Sequence, residues 1–185
     1  MNTYAVPYER ETLAALRRLA DGVISIGIAK DFPHSKDCTA CYLETAAGSW
    51  IQIQATEEGL EFKFEVFPLQ ARHVTETKME EQHPLILTSP VTVTPLVADS
   101  WLDSTAPTGP TVGSDPVMQF VGQPGSAPST ASAICHYLGG VELVGANGQS
   151  LVVATGSFPY SMHVSGFNED TFFNRNHYVG MPGEA

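Results

Sequence analysis

Polar and apolar residues alternate along much of this chain. Between Trp50 and Thr56, Ile51, Ile53 and Ala55 are separated by Gln52 and Gln54. Leu60, Phe62, Phe64 and Val66 are then separated by Glu61, Lys63 and Glu65. Period two marks a strand with one buried and one wet face. Thr56-Glu57-Glu58-Gly59 reads as a turn, so Cys41–Val66 is expected to contain a hairpin. Upstream the period changes. Over residues 7–21, Leu13, Leu16, Leu19 and Ala20 recur at three-to-four spacing, which predicts an amphipathic helix. Glu9 and Glu11 at its start and Arg17 and Arg18 at its end suit the helix dipole, and Gly22 is placed as a left-handed cap. Val23–Ala29, with Ile24, Ile26 and Ile28 on one face, and Cys41–Thr45 complete a predicted four-stranded antiparallel meander behind one helix.

Residues 69–83 are charged and short of large apolar side chains, which fits an exposed helix or a loop. Leu85–Ala98 is β-branched but broken by Pro90 and Pro95, so it reads as an edge strand or two short strands. Ser, Thr, Pro and Gly dominate residues 100–132 around the apolar island Val117–Val121. That composition predicts an irregular excursion, with the island as one more strand or a pinning contact. Order resumes with Ile134–Leu138 as a strand or helical turn. Val141–Val144 and Ser150–Thr155 then flank Asn147-Gly148, a type I′ hairpin signal, and Tyr160–Ser165 alternates again. The aromatic tail from Phe167 to Tyr178 is expected to cover the core.

One hundred residues separate two similar passages. Gly48, Ile51 and Ile53 align with Gly148, Leu151 and Val153, and Leu60, Phe62 and Phe64 align with Tyr160, Met162 and Val164. Either two β-units (about 23–67 and 134–166) arose by duplication, or two meanders merely share turn lengths. The expected architecture is a single β-rich α+β domain over residues 1–185. It comprises antiparallel sheet from two meanders with one N-terminal helix, joined by an excursion at about 99–133.

Charge narrows the function. Nine basic residues face twenty acidic ones, for a net charge of −11, and no Lys or Arg occurs between Lys78 and Arg175. Such a surface repels phosphate backbones and anionic lipid, and attracts a basic protein. No apolar run reaches the roughly 18–20 residues that span a bilayer. The N-terminus lacks a signal-peptide pattern and the cysteine count is odd, so a cytoplasmic address with free thiols is expected.

Candidate chemistry is sparse. His34, Cys38 and Cys41 spell His-x3-Cys-x2-Cys, and His73 or His83 would be a fourth zinc ligand, but no second close pair is present. Redox use of Cys38 and Cys41 would want a helix N-terminus, where the pattern is strand. Cys135 and His136 are adjacent, a poor geometry for a nucleophile and its base. Glu57, Glu58 and Glu61 cluster on the predicted hairpin tip as either a solvated turn or an acidic recognition knob, and Asp99 and Asp103 extend the acidic candidates. Phosphate-binding loops, nucleophile elbows and zinc-protease motifs are absent.

The phrases VELVGANGQSLVVATGSFPYSMHV and YLETAAGSWIQIQ resemble the strand, glycine turn and apolar strand core of several families of small acidic immunity proteins, which bacteria make against their own secreted toxins. The likeness covers about a third of the chain and transfers no functional residues. It implies tight binding of a cognate toxin. The leading expectation is therefore a non-enzymatic acidic binding protein with a basic partner and no cofactor. The alternatives are a metal- or ligand-binding domain at His34, Cys38, Cys41 and His73, and a structural component using the excursion as an arm.

Overall fold

The computed structural model describes residues 1–30, 38–60, 64–103, 118–156, 160–166 and 179–180. Strand β1 (Asn2–Ala5) precedes helix α1 (Arg10–Arg17), which a 3-10 turn (Arg18–Asp21) prolongs. Then come β2 (Val23–Ala29), β3 (Ala40–Thr45), β4 (Trp50–Ala55), β5 (Glu58–Leu60), β6 (Phe64–Val66), β7 (Leu69–Val74) and β8 (Glu81–Leu87). The second half contributes β9 (Thr92–Asp103), β10 (Met118–Gly122), β11 (Ala131–Val144), β12 (Ser150–Thr155), β13 (Met162–Ser165) and β14 (Val179–Gly180). Among the described residues the fold is β-rich α+β, with antiparallel sheets and one short N-terminal helix.

The first sheet has the order β7-β4-β3-β2-β8, and the second β10-β9-β11-β12-β13 with β1 added to β11 and β14 to β9. Among the described strands only β1 pairs in parallel. The sheets face each other across the main core. Leu43, Ile51 and Ile53 from the first meet Leu143, Leu151 and Val153 from the second, all six fully buried, with Leu16 and Leu19 of the helical segment. Each such side chain is worth roughly 1.5–3 kcal/mol of burial. Cys38 stitches the layers together, exchanging backbone hydrogen bonds with Met162 (3.1 and 2.7 Å).

A second apolar cluster lies on the far face of the second sheet. Ala98, Cys135, Tyr137, Val152 and Ala154 pack there under Val66, with Leu60 beside them. Successive strand residues point to opposite faces, so β12 is covered on both sides. In β11 the register shifts between Leu138 and Gly140. This bulge puts one extra residue into the strand. Odd-numbered side chains before it (Cys135, Tyr137) face the second cluster, and odd-numbered ones after it (Val141, Leu143) face the main core.

Several expectations are corrected. The helix starts at Arg10, because Glu9 keeps an extended backbone (φ −66°, ψ 133°). Gly22 has a positive φ of 117° but a ψ of 153°, so it is not a left-handed cap. A register shift between Val23 and Ser25 turns Ile24 outward, 43% exposed, while Val23, Ile26 and Ile28 face inward. Ala55 and Glu58 do not flank a hairpin. Strand β4 pairs with β3 and β7, and β5 pairs with β6, so Thr56-Glu57 carries the chain from one layer to another.

Residues 69–74, expected as helix or loop, form the edge strand β7, which needs only Leu69 and Ala71 on its inner face. Helix α1 closes that edge: Thr12 Oγ1 accepts the Ala71 N–H at 3.2 Å. Pro95 lies inside β9, opposite Val141. Its other side faces no named strand, since β14 and β10 begin at Leu96 and Asp99, so no ladder bond is lost there. Ile134–Leu138 is strand, within β11, and Met118–Val121 of the apolar island is also strand, within β10. Phe167 to Tyr178 lie outside the described residues.

Candidate functional site

The described acidic candidates do not share one exposed surface. Glu57 and Glu58 are exposed, but Glu57 is occupied: its carboxylate accepts a hydrogen bond from the Tyr160 hydroxyl. That bond is the main reason the Tyr160 phenol titrates above its usual range. The Tyr160 ring also meets Phe67 edge-on, with centroids 5.4 Å apart. Glu58 lines a cleft of about 240 Å³ with Val6, Tyr8 and Leu138. Glu61 lies outside the described residues. Asp103 is half-buried at the end of β9, and Asp99 has no exposed surface at all. A carboxylate enclosed in this way cannot meet a partner directly, which removes Asp99 from the predicted contact set.

The alternative zinc set is not assembled among the described residues, where no group of three His, Cys, Asp or Glu side chains is placed to hold a metal ion. His34 lies outside them. Cys38 and Cys41 both point into the main core, while His73 is exposed on β7. Burial, and secondarily the neighbouring Cys38, holds the Cys41 thiol well above its ordinary pKa. A thiol so disposed resists forming the thiolate that metal binding and redox exchange both require.

A different constellation stands on the second sheet. Asp99 of β9 lies opposite His136 of β11 on one side and Gly122 of β10 on the other. Its Oδ1 is hydrogen-bonded to His136 Nδ1, and its Oδ2 accepts the Gly125 N–H at 2.9 Å. One buried carboxylate thus ties together two strands and the turn after β10. A charge out of water needs such partners, since leaving it unpaired costs several kcal/mol. The His136 side chain is 40% exposed. Among the described residues its imidazole is hydrogen-bonded to Asp99 alone.

Two residues further along the same strand face, Trp101 lies opposite Phe120. Their rings stack at 6.0 Å with planes 19° apart, a favourable cross-strand arrangement. Gly122 makes room for this. A Cβ there would lie 2.7 Å from the Trp101 ring and 2.7 Å from Ser126 Oγ. The indole therefore extends toward Gly122, beside Asp99, and helps to enclose the carboxylate.

The pair Asp99–His136 orients an imidazole as an acid–base group would need, but no described hydroxyl or thiol is bonded to that ring. The signal for the pair in the sequence is faint but real: Asp99 is the one carboxylate and His136 the one imidazole inside largely apolar strand runs, VADSWL and AICHYL. Such residues are seldom buried without a partner. Pairing them across 37 positions required the topology.

No protein-family model, curated protein or solved structure matches this chain.

Proposed function

We propose that this chain is a non-enzymatic acidic binding protein that captures a basic protein, in the manner of an immunity protein neutralising a cognate bacterial toxin. One observation carries the reading. Every strand of the second sheet lies in cation-free sequence. The described Lys and Arg side chains belong to the N-terminal helical segment, to β7, or to the loops flanking the first sheet (Lys30 and Lys78). A sheet whose described strands carry no Lys or Arg, in a chain of net charge −11, steers basic partners toward it and repels phosphate-rich polymers.

Two further observations agree with a cytoplasmic binding role. Cys38, Cys41 and Cys135 are buried and form no disulfide among the described residues, as suits a reducing compartment. Among the described residues no helix is long and apolar enough to cross a membrane. Affinity capture from the native host at low ionic strength, where such contacts are strongest, should recover a basic protein that leaves the column when salt is raised. The same protein should lose its toxicity when the two are co-expressed. Recovery of no protein partner at low salt counts against the proposal.

A further inference from the structure

We infer that the Trp101–Phe120 shelf is the docking point of that basic partner, and that it receives the guanidinium or ammonium group of an arginine or lysine side chain. The inference rests on the acidic-binding reading above and gives it a place. Stacked indole and phenyl rings present a π-face that attracts cations, worth more as the site loses water. Phe120 is 37% exposed and Trp101 is half-buried, so the pair combines an accessible face with a fixed base. No described Lys or Arg belongs to this sheet, so its own strands supply no cation for the rings.

The surroundings favour a cation over other ligands. Asp103 lies two residues beyond Trp101 on the same face of β9, opposite Met118 of β10. At a strand rise of about 3.3 Å per residue its backbone is about 7 Å from that of Trp101, a span one arginine side chain covers. An anionic or phosphate group would find no positive partner among the described residues of the sheet.

The shelf is also held ready in advance. Asp99 binds His136 and the Gly125 N–H, which fixes β9, β11 and the turn after β10. Gly122 lets the indole lie close to the backbone. Rigid aromatic anchors of this kind supply much of the energy in protein interfaces, because little conformational freedom remains to be lost on binding.

The test uses the full chain carrying Trp50→Phe, so that Trp101 is the sole tryptophan. Hexa-arginine, hexa-lysine and hexa-glutamate peptides are titrated at low salt while indole fluorescence is followed. Hexa-arginine should shift the Trp101 emission and bind more tightly than hexa-lysine, and hexa-glutamate should do neither. Phe120→Ala should weaken hexa-arginine binding about 5- to 10-fold, and Asp103→Asn by a smaller factor. Circular dichroism and thermal unfolding confirm that both variants fold, and Phe120→Tyr should restore binding. If hexa-arginine binds wild type and Phe120→Ala equally and leaves the Trp101 emission unchanged, the shelf is not the docking point, although acidic capture stands. If neither hexa-arginine nor any basic host protein binds the wild-type chain, acidic capture falls and this inference falls with it.

Discussion

The hairpins β3–β4 and β11–β12 can be compared position by position. Their turns match atom for atom: Thr45 N–H donates to Ser49 O at 2.8 Å and Gly145 N–H to Gln149 O at 2.9 Å. Gly48 and Gly148 each donate to the residue three positions back at 2.9 Å, with φ of 77° and 78°. Because Asn147 keeps a negative φ, the second turn is not the expected type I′ but a type I turn closed by a left-handed glycine, as in the first. Inner faces match too, as Leu43, Ile51 and Ile53 confront Leu143, Leu151 and Val153.

Outer faces do not match. Strand β4 turns Gln52 and Gln54 outward into a polar ladder with Tyr42 and Arg72, whereas β12 turns Val152 and Ala154 into the second apolar cluster. Third strands diverge as well: β13 continues the second meander, while the stretch aligned with it supplies β5 and β6, which leave the first sheet altogether. Equal turns and equal inner faces therefore fix a hairpin, and whatever covers its other side decides the rest.

The largest effects should be symmetrical. Ile51→Ala and Leu143→Ala each empty the same core from opposite sides, and each should lower unfolding free energy by about 2–5 kcal/mol in urea titrations. A small effect in one hairpin alone would mean the main core does not run between the sheets. The outer faces should then separate the pair. Val152→Gln buries an amide under Val66 and should cost at least about 2 kcal/mol, whereas Gln54→Val, on a half-wet face, should change stability by less than about 1 kcal/mol. Comparable costs at the two positions would remove the distinction.

Glycine substitution tests the turns at a finer scale. A Cβ at Gly48 or Gly148 meets no atom within 4 Å, so alanine there introduces backbone strain alone. Each change should cost about 1–2 kcal/mol, and the two costs should agree. Unequal losses would show that the turns are not equivalent.

The smallest effect concerns pH. Burial pushes the Cys135 thiol up to about 11 from an ordinary 9.0, and chiefly the same cause holds the Cys41 thiol well above its ordinary value. Each folded thiol holds its proton where the unfolded thiol releases it. The resulting stabilisation is complete below the unfolded pKa and is lost as pH rises, for Cys135 between about 9 and about 11. Cys135→Ala should flatten the fall in urea midpoint over that window, and Cys41→Ala should likewise flatten the alkaline fall. An unchanged slope in both variants would show that neither thiol governs the alkaline limb.

Much of the fold was legible because period two reports a half-buried strand directly. Val23–Ala29 and Trp50–Ala55 follow from local alternation, whereas Ser150–Thr155, apolar on both faces, follows from the glycine turn before it. Ile24 did not, because a register shift of one position reverses a side chain without leaving a mark in composition. The candidate site was less legible still. Cys135-His136 drew attention as neighbours, although adjacent strand residues point to opposite faces. Cys135 joins the second cluster and His136 joins Asp99.

By itself, the sequence determined the β-rich class, the N-terminal helix, the turns at Gly48 and Gly148, and the acidic charge balance. These follow from side-chain periodicity, turn chemistry and net charge, which act over a few residues or over the whole chain. Only the tertiary structure decided that Thr56-Glu57 is a crossing between layers, that Asp99 is enclosed, and that Trp101 stacks on Phe120. Those outcomes depend on strand order and on which face is covered, and identical alternation is compatible with either arrangement until the layers have packed.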